Sequence, residues 1–303
     1  MLSAEVERYV ALRQRLGYRF GDAARQLRAF ARFAEMRGDA YVRADRVIEW
    51  ATQASTPRTR GIRLRSVEHF AHFLRAEDPT HEVPSTGQFP KNYPRLSPYI
   101  YQPEEIVQLL AAARRLFRTY PLRRETYATL IGLLASTGLR VSEALELTLK
   151  DVEAGSVILV RNGKRGKSRR VPLHQTAADA LSRYIERRKR VPAQDQHLFL
   201  SASGKRISRS MADYTFRTIA RLAGVGAGRA RPCRMHDLRH TFATRSLEAC
   251  ATERTAVSEH LVALSTYLGH ADVKHTYWYL EATPELMGNI ARAAEALFVR
   301  GQQ

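Results

Sequence analysis

Four stretches of this sequence concentrate arginine, lysine, histidine and tyrosine at short spacings: STGLRVSEALEL, NGKRGKSRRVPL, HDLRHTFATRS and STYLGHADVKHTYWYLEA. Guanidinium groups donate paired hydrogen bonds to phosphate oxygens, so a cluster of arginine and histidine favours an anion, most naturally a phosphate. A phenol is ionised to only about one part in a thousand at pH 7, but neighbouring cations favour the phenolate. The arrangement therefore raises the question of whether one of the tyrosines acts as a nucleophile.

The stretch HDLRH carries the densest set of titratable residues. On a helix, His236 and Arg239 are three residues apart and share a face. His236 and His240 are four residues apart, a spacing that also suits zinc. The charge of Arg239 opposes a cation there, and no HExxH glutamate is present, so phosphate is the favoured ligand. The alternative is a single helix with solvated basic residues.

Two other stretches offer cations to an anion. Arg140 follows Gly138, which ends a very apolar helix, and an arginine at such a boundary is partly buried and needs an anionic partner. Glu143 either holds that guanidinium in place or forms only a local salt bridge. Lys164 and Lys167 lie at the tip of a predicted hairpin, where they either contact phosphate or are ordinary exposed lysines.

Taken together, these stretches resemble the tyrosine recombinase (phage integrase) family over about the last 200 residues, with the family's catalytic signatures in order. The resemblance implies that the catalytic residues are Arg140, Lys164, His236, Arg239, His270 and Tyr279. Tyr279 lies nine residues after His270, the usual register of the family's nucleophile, and Tyr277 is two residues short of it. Lys167 is the alternative to Lys164 on the same loop.

The resemblance also implies how the reaction proceeds. Tyr279 attacks the scissile phosphate and forms a 3′-phosphotyrosine link, while Arg140 and Arg239 hold the phosphate. Lys164 protonates the 5′-hydroxyl leaving group. His236 accepts the proton of the tyrosine or serves as a second phosphate ligand.

The remaining residues of the predicted site have supporting roles. His270 donates a hydrogen bond to the phosphate, and Glu143 and His240 orient the cluster. The arginines, the lysine and the histidines counter the developing charge, so no divalent cation or other cofactor is expected. The phosphotyrosine conserves the energy of the broken bond, so rejoining needs no ATP.

The elements that must position these residues predict a mainly α fold with a small β-sheet, an α+β class. Short β-branched runs, GSVILV and RRVPL, flank an Asn-Gly hairpin. Helical periodicity predicts helices over residues 101–117, 123–138, 175–190, 208–223, 235–247, 259–268 and 284–303. His236 and His270 are 34 residues apart, which indicates an insertion between two helices around EACATERTAVSEH.

Three segments of the chain differ in composition. Residues 1–76 contain about four amphipathic helices and resemble the core-DNA-binding domain of the family. Residues 77–98 hold five of the twelve prolines without periodicity and predict a linker. Residues 99–303 form the predicted catalytic domain, and its amphipathic tail, 284–303, packs either on its own domain or on a neighbouring subunit.

Charge and composition point to a nucleic-acid partner. The 49 Lys and Arg residues exceed the 30 Asp and Glu residues, and the net charge of +19 attracts DNA or RNA in a salt-dependent manner. No stretch approaches the roughly 20 consecutive apolar residues of a membrane span, and the charged N-terminus has no signal-peptide pattern. Two cysteines, Cys233 and Cys250, suit a reducing cytoplasm.

The resemblance implies further partners. These are double-stranded DNA with a specific recombination site, a homo- or hetero-tetramer on two such sites, and accessory recombinases. The motifs around LGH and TYWYLEA resemble recombinases of mobile elements, which integrate, excise or transpose DNA. Two other functions fit the same residues: a monomeric type IB topoisomerase and a DNA-binding protein that has lost catalysis.

Overall fold

The computed structural model describes residues 1–18, 20–89, 97–116, 121–153, 156–161, 168–193, 195–229, 231–249, 254–269 and Thr276. The chain divides into two compact units, Met1–Leu96 and Ser97–Gln303. Throughout the described ranges, no helix is both long enough and apolar enough to cross a membrane.

The first unit is a small helical bundle. Its described residues form α1 (Leu2–Arg15), α2 (Gly21–Glu35), α3 (Ala44–Thr52) and α4 (Pro57–Arg75). Each helix turns one apolar stripe inward, as its periodicity predicts, and the stripes meet in a shared core around Phe30, Trp50 and Phe70. The Thr56 hydroxyl accepts the Thr59 N–H, which caps the first turn of α4.

The segment predicted as a linker begins inside the first unit. Within 77–98, the Glu82 N–H donates to the Val42 carbonyl at 2.8 Å, and the buried His81 accepts the Val42 N–H through Nδ1 at 3.1 Å. Phe89 packs on the core of the unit. Proline removes helical periodicity but still permits extended backbone that can bond to a neighbour. Lack of periodicity therefore did not mean lack of packing.

The second unit is mainly helical and surrounds a central helix. Its described helices are α5 (Pro103–Arg115), α6 (Pro121–Thr137), α7 (Val141–Glu146), α8 (Gln175–Lys189), α9 (Arg209–Leu222), α10 (Asp237–Glu248) and α11 (Arg254–Leu268). The apolar α6 lies against α5, α8 and α10, and Leu130, Ile131 and Leu134 on it are buried. A helix that is apolar on most sides is stable only in such a central position.

A small antiparallel sheet completes this unit. In the described part of the chain its strands are β1 (Val152–Glu153), β2 (Val157–Val160) and β3 (Arg169–Pro172), in the order β1-β2-β3. Val160 pairs with Arg169 at the end of the β2–β3 ladder, which confirms the predicted hairpin. The sheet and the helices together confirm the predicted α+β class, mainly α. Strand β1, only two residues long, was not predicted.

One helix, α11, begins five residues earlier than predicted. Periodicity placed its start at residue 259, whereas α11 starts at Arg254. The segment expected as an insertion therefore contributes the first turn of α11 as well as the connection from α10. The first residues of α11, RTAVS, include Thr, Val and Ser, which have weak helix propensity. The sequence pattern for a helix was therefore weak at this end. The predicted helix 284–303 lies outside the described residues.

Candidate active site

Three arginines from distant parts of the chain hold the C-terminal end of α11. Among the described residues, Arg169 Nε, Arg239 Nη2 and Arg140 Nη2 donate at 2.8, 2.8 and 3.0 Å to the main-chain carbonyls of Tyr267, Leu268 and Gly269 respectively. The last carbonyls of a helix have no partner within it and form the negative end of its dipole. Cationic donors therefore stabilise this end, and His270 is the next residue in the sequence.

Arg140 sits at the N-cap of α7 and is fixed by the acid three residues later. Glu143 Oε2 accepts the Arg140 N–H at 3.0 Å, and Glu143 Oε1 accepts from Arg140 Nη1 at 2.7 Å. The Arg140 side chain keeps 24% of its surface exposed and the Glu143 side chain 9%. Glu143 thus fixes Arg140 from a largely buried position, while part of the Arg140 guanidinium stays accessible.

Glu143 is a carboxylate shared between two guanidinium groups. Arg169 Nη1 and Nη2 donate to Glu143 Oε1 and Oε2 at 3.2 and 2.9 Å. Burial raises the pKa of Glu143, but the hydrogen bonds and charge of Arg169, together with the bonds from Arg140, outweigh it and hold that pKa at about 2. Glu143 is therefore ionised and keeps two cations side by side.

Arg239 is buried on α10 and joins two turns of the backbone. Its Nη1 donates to the Gly138 carbonyl at 2.7 Å, while its Nη2 reaches Leu268. Only 2% of Arg239 is exposed. The side chain therefore fixes the turn between α6 and α7, where Arg140 follows, against the end of α11.

Two glycines permit this close approach. Gly269 has φ +67°, and a Cβ atom there would lie 2.9 Å from Arg169 Nη1. Gly138 has φ +60°, and its Cβ atom would lie 2.5 Å from Phe242 Cδ1. Both positions need glycine because of the left-handed backbone and the lack of space.

Gly138→Ala is expected to lower the free energy of unfolding by at least about 2 kcal/mol, from the left-handed conformation and the displacement of Phe242. Urea unfolding measures it. The control is Gly132→Ala, within α6, where a Cβ atom meets only Leu110 Cδ2 at 3.8 Å. That change should be neutral or stabilise by about 0.5–1 kcal/mol. Equal effects of the two substitutions would contradict the requirement for glycine at position 138.

His236, the N-cap residue of α10, and His240 on that helix form a neutral pair. Their ring centroids are 4.9 Å apart in an edge-to-face arrangement. Burial lowers the pKa of His236 to about 4, helped by the charges of Arg239, Arg209 and Arg234. Burial and the neighbouring His236 lower the pKa of His240 to about 4 as well. His236 is therefore unprotonated at neutral pH and competent to accept a proton.

The neutral pair predicts a pH-dependent stability. Histidine in the unfolded chain has a pKa of about 6.5, whereas these two histidines have folded-state pKa values of about 4. Between these values the unfolded chain binds protons that the folded chain does not, so stability is complete above pH 6.5 and is lost as pH falls toward 4.

We expect the free energy of unfolding to fall by about 2 kcal/mol for each of the two histidines, or about 4 kcal/mol together, between pH 7.5 and pH 5. Urea unfolding at both pH values measures the change. His240→Gln should reduce it, and His69→Gln, at an exposed position on α4, should not. An unchanged slope in His240→Gln would contradict the buried neutral pair.

Zinc was the alternative ligand for the spacing of His236 and His240. Among the described residues, no group of three or more His, Cys, Asp or Glu side chains lies close enough to hold a metal ion. The charges of Arg234 and Arg239 also oppose a cation beside His236. The arrangement suits an anion.

Tyr101 holds α10 and the turn before it through three hydrogen bonds. Its N–H donates to Thr241 Oγ1 at 3.0 Å, and its hydroxyl donates to the Arg234 carbonyl at 2.9 Å. Arg245 Nη2 donates to the Tyr101 carbonyl at 2.6 Å. The fully buried Tyr101 thus holds the helix that carries Arg239.

The structure brings together the described members of the predicted set. Arg140 and Arg239 meet at the end of α11, and His236 is the N-cap residue of the helix that carries Arg239. The other predicted residues lie outside the described residues: Lys164, Lys167, His270, Tyr277, Trp278 and Tyr279.

Arg169 was not predicted as a member of this cluster. Strand alternation was the signal that could have found it, because Arg169 and the buried Val171 share one face of β3 while Arg170 is exposed on the other. An inward-facing arginine needs an acidic partner, and Glu143 is that partner.

Comparison with known proteins gives one family. Residues 100–285 match the model of the phage integrase family. The protein of Sinorhizobium fredii named integrase/recombinase y4rB is 36% identical over 96% of this chain and 96% of its own length. Tyrosine recombinase XerD of Bifidobacterium longum is 32% identical over 76% of this chain and 73% of its own length.

Solved structures share the fold. The Tn1549 transposon integrase in complex with transposon right end DNA superposes with a TM-score of 0.69 at 19% identity, covering 98% of this chain and 99% of that one. A lambda integrase dimer bound to a core site superposes with a TM-score of 0.66 at 15% identity, covering 93% and 77%.

Proposed function

Since the chain belongs to the phage integrase family and is a tyrosine-type site-specific DNA recombinase, we propose that it cleaves and rejoins DNA through a covalent 3′-phosphotyrosine intermediate. The Tyr279 oxygen forms a bond to phosphorus while the bond to the 5′ oxygen breaks. The phenolic proton passes to His236, and Lys164 donates a proton to the departing 5′ oxygen. The reverse steps rejoin the strand.

The meeting of Arg140 and Arg239 at one helix end carries this proposal. These residues are 99 positions apart, yet both donate to successive carbonyls directly before His270. A phosphate placed against the open part of Arg140 meets cations whose orientation is already fixed, so little reorganisation is needed as charge builds up. His270 adds a hydrogen bond to the same phosphate in this mechanism.

The neutral state of His236 fits the role of proton acceptor. Because its pKa is about 4, it carries no proton at pH 7 and can take one from the tyrosine as the bond to phosphorus forms. His240 and Glu143 hold the histidine and Arg140 in place.

The first unit contributes a DNA-binding face in this proposal. On α4, five side chains recur at intervals of three or four residues and form one stripe: Arg58, Ile62, Arg65, His69 and His72. All are exposed or half-exposed, and in the described part of the chain Arg58 and Arg65 form no ion pair. Half of the six arginines of α1 and α2 differ, since Arg8, Arg25 and Arg28 pair with acids. The α4 stripe therefore offers a basic surface to phosphates.

Assembly on two DNA sites follows from the same chemistry. Strand exchange requires the 5′-hydroxyl of one duplex to attack the phosphotyrosine of another, so four protomers act on two recombination sites, as a homo-tetramer or together with accessory recombinases. We propose that the exchange serves integration, excision or transposition of a mobile element and takes place in the cytoplasm, at the nucleoid. The relatives named integrase/recombinase support this role.

The test is to trap the intermediate. Wild-type protein is incubated with a library of nicked duplexes of random sequence, in which cleavage releases a short fragment and prevents rejoining. Protein–DNA adducts that survive denaturation are recovered, and the linked peptide is identified by mass spectrometry. We expect the linkage on the peptide that contains Tyr279. Failure to recover any adduct would count against covalent catalysis and favour a protein that only binds DNA.

A second assay separates recombination from topoisomerase activity. Two copies of the recovered duplex are placed on one supercoiled plasmid. Recombination exchanges the strands between the copies, whereas a type IB topoisomerase only relaxes the supercoils. We expect exchange products, and relaxation without exchange would support the topoisomerase alternative.

A further inference from the structure

We propose that Arg169 on β3 is a positioning residue of the recombination reaction, which holds Arg140 through Glu143 and fixes the backbone that leads into His270. This inference rests on the function proposed above. Arg169 lies within the stretch NGKRGKSRRVPL but is not among the six predicted catalytic residues, and its contacts carry the inference.

All three nitrogens of the Arg169 guanidinium donate to the protein. Nη1 and Nη2 bond to the two oxygens of Glu143 at 3.2 and 2.9 Å, and Nε bonds to the Tyr267 carbonyl at 2.8 Å. Only 14% of its side-chain surface is exposed. These bonds make the guanidinium a support for Glu143 and for the end of α11.

Glu143 transmits this support to Arg140. The Glu143 carboxylate lies between the two guanidiniums, and its Oε1 accepts from both Arg140 Nη1 and Arg169 Nη1. Without Arg169, one face of the carboxylate loses its donors and the carboxylate is free to turn toward Arg140. Arg140 would then be drawn into a closer pair with Glu143 and away from a phosphate.

Arg169 also connects three elements that adjoin predicted catalytic groups in the sequence. It lies on β3, directly after the loop of Lys164, and bonds to α7, which follows Arg140. Its third bond reaches the end of α11, 98 positions away, beside Gly269. One side chain therefore sets the relative positions of these elements, and a misplacement of about 1 Å can reduce a rate by about 100-fold.

Arg170 provides a matched control on the same strand. Its side chain is 72% exposed and pairs with Glu153 at 2.9 Å, on the face away from the site. Exposed ion pairs of this kind contribute little to stability. Arg170→Gln removes the same charge one position away, so it reports the effect of net charge on DNA binding alone.

The experiment uses a nicked duplex recovered by the wild-type protein in the trapping assay above. If no such duplex is recovered, the proposed function itself fails, which is distinct from a failure of the role of Arg169. The rate of adduct formation is measured in single turnover, and the affinity for the same duplex by gel shift. Arg169→Gln is expected to lower the rate by about 100-fold, with unchanged affinity, and Arg170→Gln to change neither.

Two further measurements distinguish positioning from a general loss of structure. In an Arg140→Ala background, Arg169→Gln should add little, because Arg169 acts through Arg140. A duplex with a neutral methylphosphonate at the scissile position needs less positive charge, so it should shrink the defect of Arg169→Gln as it shrinks that of Arg140→Ala. A general structural defect would lower the rate on both substrates by the same factor, and its rate loss would add to that of Arg140→Ala.

Arg169→Lys keeps the charge and guards against a variant that fails to fold. A single ammonium cannot reach both oxygens of Glu143 and the Tyr267 carbonyl in the same geometry. We expect the lysine variant to remain folded by circular dichroism and still to lose most of the rate. A wild-type rate in either variant, or losses that add fully to those of Arg140→Ala, would overturn the proposal.

Discussion

Tyr279→Phe is expected to abolish covalent adduct formation, with a loss of more than about 10⁴-fold in the cleavage rate, and to leave the affinity for DNA unchanged. The phenolic oxygen is the atom that bonds to phosphorus, and no other group of the proposed site can replace it in that position. Phenylalanine retains the aromatic ring, so the substitution removes the nucleophilic oxygen and little else. Denaturing gels of the trapped duplex measure the adduct, and gel shifts measure the affinity.

Tyr277→Phe is the matched control, because it makes the same change two residues away. It should retain adduct formation at a rate close to that of the wild type. An adduct in Tyr279→Phe together with its loss in Tyr277→Phe would reassign the nucleophile. The nine-residue register after His270 would then not apply to this chain, whose separation of 34 residues between His236 and His270 already departs from expectation.

Local patterns were enough to predict the elements that hold this site. The apolar stripes of α8, α9 and α10 and the β-branched runs of β2 and β3 recur at the periods of helix and strand, so their positions follow from a few neighbouring residues. The bond between Arg140 and Glu143 was also within reach, since residues three apart at a helix start are neighbours.

The support of the site was beyond local patterns. Arg169 bonds to Glu143, 26 positions away, and to the Tyr267 carbonyl, 98 positions away. Every residue has a main-chain carbonyl, so the sequence does not indicate which one accepts such a bond. The burial that makes His236 and His240 neutral is likewise a property of the assembled core. The residue types of the site can thus be predicted, whereas the contacts that orient them arise only from the fold.

Arg239→Ala is expected to reduce the rate of adduct formation by about 10²–10³-fold and to destabilise the second unit. Arg239 donates to the carbonyls of Gly138 and Leu268 and is 2% exposed. Its removal leaves two buried acceptors without these donors, at a cost of about 1–3 kcal/mol each. Arg239→Lys should recover only part of the stability, because one ammonium cannot reproduce the fork that spans both carbonyls. Urea unfolding and single-turnover cleavage measure the two effects.

Comparison with Arg140→Ala separates catalysis from folding. Arg140 keeps 24% of its side-chain surface exposed, so its loss should lower the rate by a similar factor but the free energy of unfolding by less than the loss of Arg239. Arg221→Ala, at an exposed position on α9, should change neither quantity. If Arg239→Ala unfolded at the wild-type urea concentration, its bonds to the two turns would not stabilise the unit. If it cleaved within tenfold of the wild-type rate, Arg239 would hold the backbone of the site without stabilising the charge on the phosphate.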